Sequence, residues 1–172
     1  MRPTYYLTVF AAFVLFFTCC KKESDHWGEF SVLKNGTPWE GKIRAEPTTF
    51  SSAKATVFIQ SFDKDGVVIE TLVFFKVPTK VGKYHLAQTI NQPPDDSLTG
   101  CLYTNGYRDE IFDIFLLGSI DSTSCIEITE YDDSKEEFKG KFHIRLWPSI
   151  SGSWNAPDSL VFSDGVFHTR IN

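Results

Sequence analysis

The chain has little of what most enzymes and metal proteins rely on. Among 172 residues there are only four cysteines and four histidines. The histidines, His26, His85, His143 and His168, are scattered. None forms the H-x-x-x-H pair that sets two metal ligands on one helix face. There is no G-x-S-x-G nucleophile elbow. No glycine-rich loop follows a strand and opens a helix to cradle phosphate, so no nucleotide cofactor is indicated. Basic residues are too few and too interspersed for nucleic acid, at 17 Lys+Arg against 22 Asp+Glu, because phosphate backbones demand clustered cations. The chain also lacks an apolar run long enough to cross a bilayer. The longest, Leu7–Phe17, has eleven residues, where a spanning helix needs about 20. The sequence therefore predicts no catalytic, cofactor-binding or metal-ligating residue.

That short run is nonetheless the most telling segment present. Arg2 precedes LTVFAAFVLFF, and Thr18-Cys19-Cys20 and the charged Lys21-Lys22-Glu23 follow it. A positive start, a short apolar core and a small-residue cleavage region make an export signal. A cysteine at the cut predicts a lipoprotein, in which that residue becomes the first mature one and carries diacylglycerol on its sulfur. Modification of Cys19 would put Phe17 where a small side chain is wanted, so Cys20 is the predicted lipidation site. Phe17 then replaces the usual aliphatic residue three positions before it. Acyl chains, each buried CH₂ adding about 0.8 kcal/mol, would hold the protein on a membrane. The predicted organisation is a signal peptide over 1–19, a tether over 20–27 and one domain over 28–172. If Cys20 is lipidated, Cys101 and Cys125 remain. In an exported domain they are either two free thiols or a disulfide, which would contribute about 3.5 kcal/mol by loop entropy.

The mature part reads in period two, the signature of strands. Phe30–Lys34 leads to Asn35-Gly36, a strong hairpin signal. Trp39, Gly41, Ile43 and Ala45 then alternate with charged residues. Ala55–Phe62 turns at Asp63–Gly66 into Val67–Val77, whose apolar character on both faces predicts a central strand. Pro78 ends it. Gly82–Leu86, Cys101–Thr104, Ile111–Leu117 and Cys125–Tyr131 follow, with Asn91–Leu98 as a loop and Asn105-Gly106 as a turn. Phe138–Trp147 has the cleanest alternation: Phe138, Gly140, Phe142, Ile144 and Leu146 inward, Lys139, Lys141, His143 and Arg145 outward. Pro148–Pro157 reads as an irregular loop. Leu160–Ile171 reads as a last hairpin turning at Asp164-Gly165. About ten strands with short turns predict an antiparallel β-sandwich, with a lipocalin-like β-barrel as the alternative.

Two further features admit a functional reading. Asp63-Lys-Asp-Gly66 resembles the start of a calcium loop, but the ligands that should follow are replaced by a strand, so a polar turn is expected. Trp39, Tyr103, Tyr107, Trp147 and Trp154 fall near strand ends or in loops. Such rings either bind a sugar or other ligand or pack the core of an aromatic-rich domain.

Several segments together carry a family resemblance. They are the export signal ending Cys-Cys-Lys-Lys-Glu, Phe30-Ser-Val-Leu-Lys-Asn-Gly-Thr-Pro-Trp39, Gly82-Lys-Tyr-His-Leu86, Cys125-Ile-Glu-Ile-Thr-Glu-Tyr-Asp132 with Phe138-Lys-Gly-Lys-Phe142, and Ser163-Asp-Gly-Val-Phe167. The chain resembles uncharacterised Bacteroidota-type outer-membrane lipoproteins. The resemblance implies a β-rich domain at the cell envelope and transfers no catalytic residue. The expected function is thus a lipid-anchored, non-enzymatic outer-membrane protein that touches the membrane through its anchor and binds an envelope protein or glycan. An envelope hydrolase acting on glycans and a barrel-type lipid or glycan carrier are the alternatives.

Overall fold

The computed structural model describes residues 26–48, 51–88, 98–118 and 123–172. The signal segment, Cys20 and most of the 91–98 loop lie outside the described residues. Among the described residues there are eleven strands: β1 (Gly28–Lys34), β2 (Thr37–Pro38), β3 (Lys42–Thr48), β4 (Ser51–Phe62), β5 (Val68–Pro78), β6 (Gly82–Ala87), β7 (Thr99–Tyr107), β8 (Glu110–Leu117), β9 (Cys125–Asp132), β10 (Glu137–Ser151) and β11 (Leu160–Arg170). The protein is all-β, as the period-two pattern predicts.

The strands hydrogen-bond in the order β2-β1-β11-β10-β9-β6-β7-β5-β4-β3, with β8 joining β7 to β10. Among the named strands every pairing is antiparallel except β6 with β7, and a parallel bridge links Ala45 of β3 to Ile171, so the sheet is mixed where an antiparallel one was expected. The sheet doubles over into a sandwich-like arrangement. One layer is β1, β11, β10 and β9; the other is β3, β4, β5, β7 and β8. Ring contacts show the layers face to face: Phe74 of β5 meets Phe142 of β10 with centroids 5.0 Å apart, and Tyr103 of β7 meets Phe162 of β11 at 5.7 Å. Each such buried ring contributes about 2–3 kcal/mol through apolar area removed from water. Two strands stitch the layers at their margins. β6 bonds β9 on one side and β7 on the other. β8 bonds β7 and the C-terminal half of β10.

β10 follows its alternation closely. Phe138, Phe142, Ile144 and Leu146 are buried in the core, and Lys139, Lys141, His143 and Arg145 are exposed. Gly140 belongs to the inward set, where a Cβ would come within 2.5 Å of the Phe167 ring. The glycine leaves the space that ring occupies.

Local chemistry departs from the sequence reading in three places. The Asn35-Gly36 turn forms as predicted, with φ of 50° and 79°. Asn105-Gly106 does not turn the chain. β7 runs through it, and the reversal falls at Arg108, with φ 57°. The Asn105 side chain is committed to β8 instead, accepting a bond from the Asp113 amide at 2.9 Å. Pro148 does not end β10, because a register shift between Pro148 and Ile150 accommodates it, as prolines at bulges are tolerated. Asp164-Gly165 is a bulge within the continuous strand β11, not a hairpin tip. Asp164 takes φ 55°, and a side chain on Gly165 would strike the Phe142 ring at 2.6 Å.

Candidate functional site

Cys101 and Cys125 are not joined. Cys101 is buried and Cys125 half-buried, and both are free thiols. Topology explains the absence of the bridge. β6 lies between β7 and β9, so two strand spacings of about 4.8 Å separate them. A disulfide tolerates no more than about 7 Å between Cα atoms. Burial raises the Cys101 thiol well above its ordinary range, which keeps it a protonated core residue.

The Asp63 turn is a capped hairpin, as expected. Asp63 Oδ1 accepts from the amides of Asp65 at 2.9 Å and Val67 at 2.8 Å, the local bonding that favours Asp in turns. Among the described residues no group of three or more His, Cys, Asp or Glu is arranged to hold a metal ion.

Two carboxylates instead organise the interior, and neither was singled out in the sequence. The first is Glu70, on the inward face of β5. Its oxygens accept from Lys34 Nζ, Trp39 Nε1, Tyr103 OH at 2.7 Å and Ser61 Oγ at 3.0 Å. Those donors come from β1, the β2–β3 connection, β7 and β4, so one side chain ties both layers. The Lys34 ammonium also lies over the rings of Trp39 and Tyr103 at 5.6 and 5.5 Å, a cation–π arrangement that suits a partly desolvated cation. Burial alone would raise the Glu70 carboxyl. The Lys34, Tyr103 and Trp39 donors together outweigh it and hold the group below the ordinary carboxylate value. Burial and the neighbouring carboxylate push the Tyr103 phenol strongly upward. A carboxylate with both oxygens engaged by four donors is suited to holding layers together rather than to accepting a substrate's proton.

The second is Asp113 on β8, 1% exposed. Oδ1 accepts from the amides of Gly152 and Ser153, both at 3.0 Å. Oδ2 accepts from Ser153 Oγ at 2.6 Å and Asn105 Nδ2 at 2.8 Å. Burial raises this carboxyl too, and the Ser153, Asn105 and Gly152 bonds bring the net below its ordinary value. The effect is to clamp the start of the 152–159 loop onto β8. The next residue, Trp154, projects into solvent at 98% exposure.

The five aromatics considered from sequence thus fall into two sets. Trp39 and Tyr103 pack the core, in ring contact with each other at 6.3 Å. Trp147, Trp154 and Tyr107 are exposed. Trp147 does not stand alone. It opposes Leu116 across the β8–β10 ladder, and Ile150 opposes Ile114; residues directly opposite share a face. Ile150 is 54% exposed, with Phe112 and Ile111 also open to solvent. An apolar patch therefore surrounds the clamped loop.

No family model, curated protein or solved structure matches this chain.

Proposed function

We propose that this is a lipid-anchored, non-enzymatic cell-envelope protein, held in the outer membrane through Cys20, that binds a partner through the apolar patch of β8 and β10. The observation that carries the binding half is the clamp at Asp113. A buried carboxylate and three bonds from the loop fix the backbone immediately before Trp154, yet the indole itself covers nothing. A fully exposed tryptophan on a fixed loop costs solubility and returns no packing, which is the pattern of a contact residue. The anchoring half rests on the export segment and the cysteine at its end. The residues that fix the interior carboxylates are all bonded to the protein's own groups, which accords with a binding role.

The anchor is tested by labelling cells with a radioactive fatty acid and fractionating their membranes, for wild type and Cys20→Ala. Label and membrane association in the wild type, both lost on substitution, are the expected result. An unlabelled wild-type protein would overturn the anchor. Labelling retained in Cys20→Ala but lost in Cys19→Ala would move the anchor by one residue.

A further inference from the structure

The outer surfaces of the two layers differ in kind. On β9, β10 and β11 the outward positions include Lys139, Lys141, His143, Arg145, Glu127 and His168, and Lys139 pairs with Glu130 at 2.7 Å. Through the middle of β4, β5, β7 and β8 the corresponding positions are uncharged; Lys54, which shares the parity of Phe58, lies toward the N-terminal end of β4 opposite Pro78. Phe58 opposes Val73, Val73 opposes Leu102, and Leu102 opposes Leu116. The row continues across β10 to Trp147. This layer therefore carries an apolar row on its outer face, although only its inner face meets the core.

Charge returns only at the margins, and there much of it is basic. Arg44 sits over the Phe58 ring at 4.0 Å and pairs with Glu46, Lys42 lies over Phe62 at 5.1 Å, and Arg108 lies over Tyr107 at 5.3 Å. The chain enters the fold beside this same face. Trp27 leans on His168 of the charged layer, but His26 leans the other way, bonding Gln60 at 3.2 Å and contacting the Phe62 ring at 5.5 Å. Gln60 and Phe62 share the outward parity of Phe58 on β4.

We propose that this outer face rests on the lipid bilayer that holds the anchor, with Trp147, Ile150 and Trp154 entering the headgroup region and the basic margin meeting anionic lipids. The proposal rests on lipidation at Cys20. Only five residues separate Cys20 from His26, a span of at most about 20 Å. From β4 to β10 through β5, β7 and β8 is four strand spacings, about 19 Å. The anchored end and the tryptophans can therefore meet one membrane plane together. Indoles favour the membrane–water interface, and exposed isoleucines suit lipid better than they suit the polar faces of a sugar. One lipidated residue plus a second apolar and basic contact is the two-signal arrangement that stable membrane attachment requires.

The test uses the exported, lipidated protein reconstituted into vesicles of phosphatidylethanolamine and phosphatidylglycerol, with or without a spin-labelled lipid that quenches indole emission near the headgroups. The expected quenching is roughly half the total, the share of two indoles among four, if both enter the interface. It should fall to background in Trp147→Phe/Trp154→Phe, a variant that leaves the half-buried ring of Trp27 and the core ring of Trp39 as reporters of folding. Protein that floats with the vesicles but is not quenched would leave the anchor standing and overturn the docking. Protein that fails to float would overturn the anchor itself. Unquenched protein that instead gains protection at Trp147 and Trp154 on adding envelope glycan would assign the face to a glycan and overturn the lipid proposal.

Discussion

Glu70 and Asp113 are both carboxylates on inward strand positions, each taken up by four donors, yet the donors differ. Glu70 has an ammonium among them, and its partners come from four separate segments spread over both layers. Asp113 has no cation in its shell; it is held by two amides, a hydroxyl and a carboxamide, three of which belong to one loop. A charge pair that spans layers acts on the whole fold. A charge dissolved among local amides fixes one short segment and leaves the rest indifferent. The difference predicts that losing Glu70 unfolds the protein more easily, and that losing Asp113 frees the Trp154 loop.

The largest effect should come from Glu70→Ala. It strands Lys34, Trp39, Ser61 and Tyr103 together, and unsatisfied buried donors cost about 1–3 kcal/mol each before relaxation. Partial exposure of Lys34 and Glu70, at 24% and 20%, lets water recover some of this, so a net loss of about 3 kcal/mol is expected in urea unfolding. A loss under about 1 kcal/mol would show that the pair is not what joins the layers. Asp113→Asn comes next, at about 1–2 kcal/mol, since its amide nitrogen would face the donors of Ser153 and Gly152. Its signature is local: faster hydrogen exchange at Gly152 and Ser153, with β5 unchanged. Equal acceleration in both places would erase the contrast. Ser153→Ala removes one 2.6 Å bond and should cost about 1 kcal/mol.

The smallest effect concerns pH. Both carboxyls titrate lower in the folded protein than their ordinary values of 4.5 and 3.8. The folded state therefore binds fewer protons than the unfolded one in that range. The stability they contribute is present above those values and is lost as pH falls through the lower folded ones. Thermal midpoints should decline below about pH 4.5, and Glu70→Gln should flatten the upper part of that decline. A decline of unchanged slope in Glu70→Gln would assign the acid sensitivity elsewhere.

How much of this was legible beforehand depends on whether the signal was periodic. Alternation exposes the faces of β10 and the buried pair Ile126 and Ile128 directly, because burial on a strand repeats every second residue. Asn35-Gly36 was readable because both its residues accept positive φ. Asn105-Gly106 misled because the same dipeptide can serve through its side chain, and that use depends on Asp113 across the ladder. The choice between free thiols and a Cys101–Cys125 bridge stayed open for a related reason: spacing along the chain says nothing of the strand lying between. The site was least visible, because its donors come from segments far apart in sequence. One clue was present. Glu70 and Asp113 are each a lone carboxylate inside an apolar run, VVIETLVFF and IFDIFLL. A charge in such a run must find partners or lose its proton.

The pairing of β1 with β11 joins Gly28 to Thr169 and Lys34 to Phe162. The first strand of the fold thus waits for the last. A chain delivered from its N-terminus would hold β1 open, and Lys34 apart from the completed layer, until the final strand emerged. Ladders between such distant segments place a protein among the slow folders, in the millisecond to second range. Over that interval β1, paired on its other side with the short β2, leaves one edge unsatisfied, so the newly made protein is most vulnerable to proteolysis and mispairing at β1.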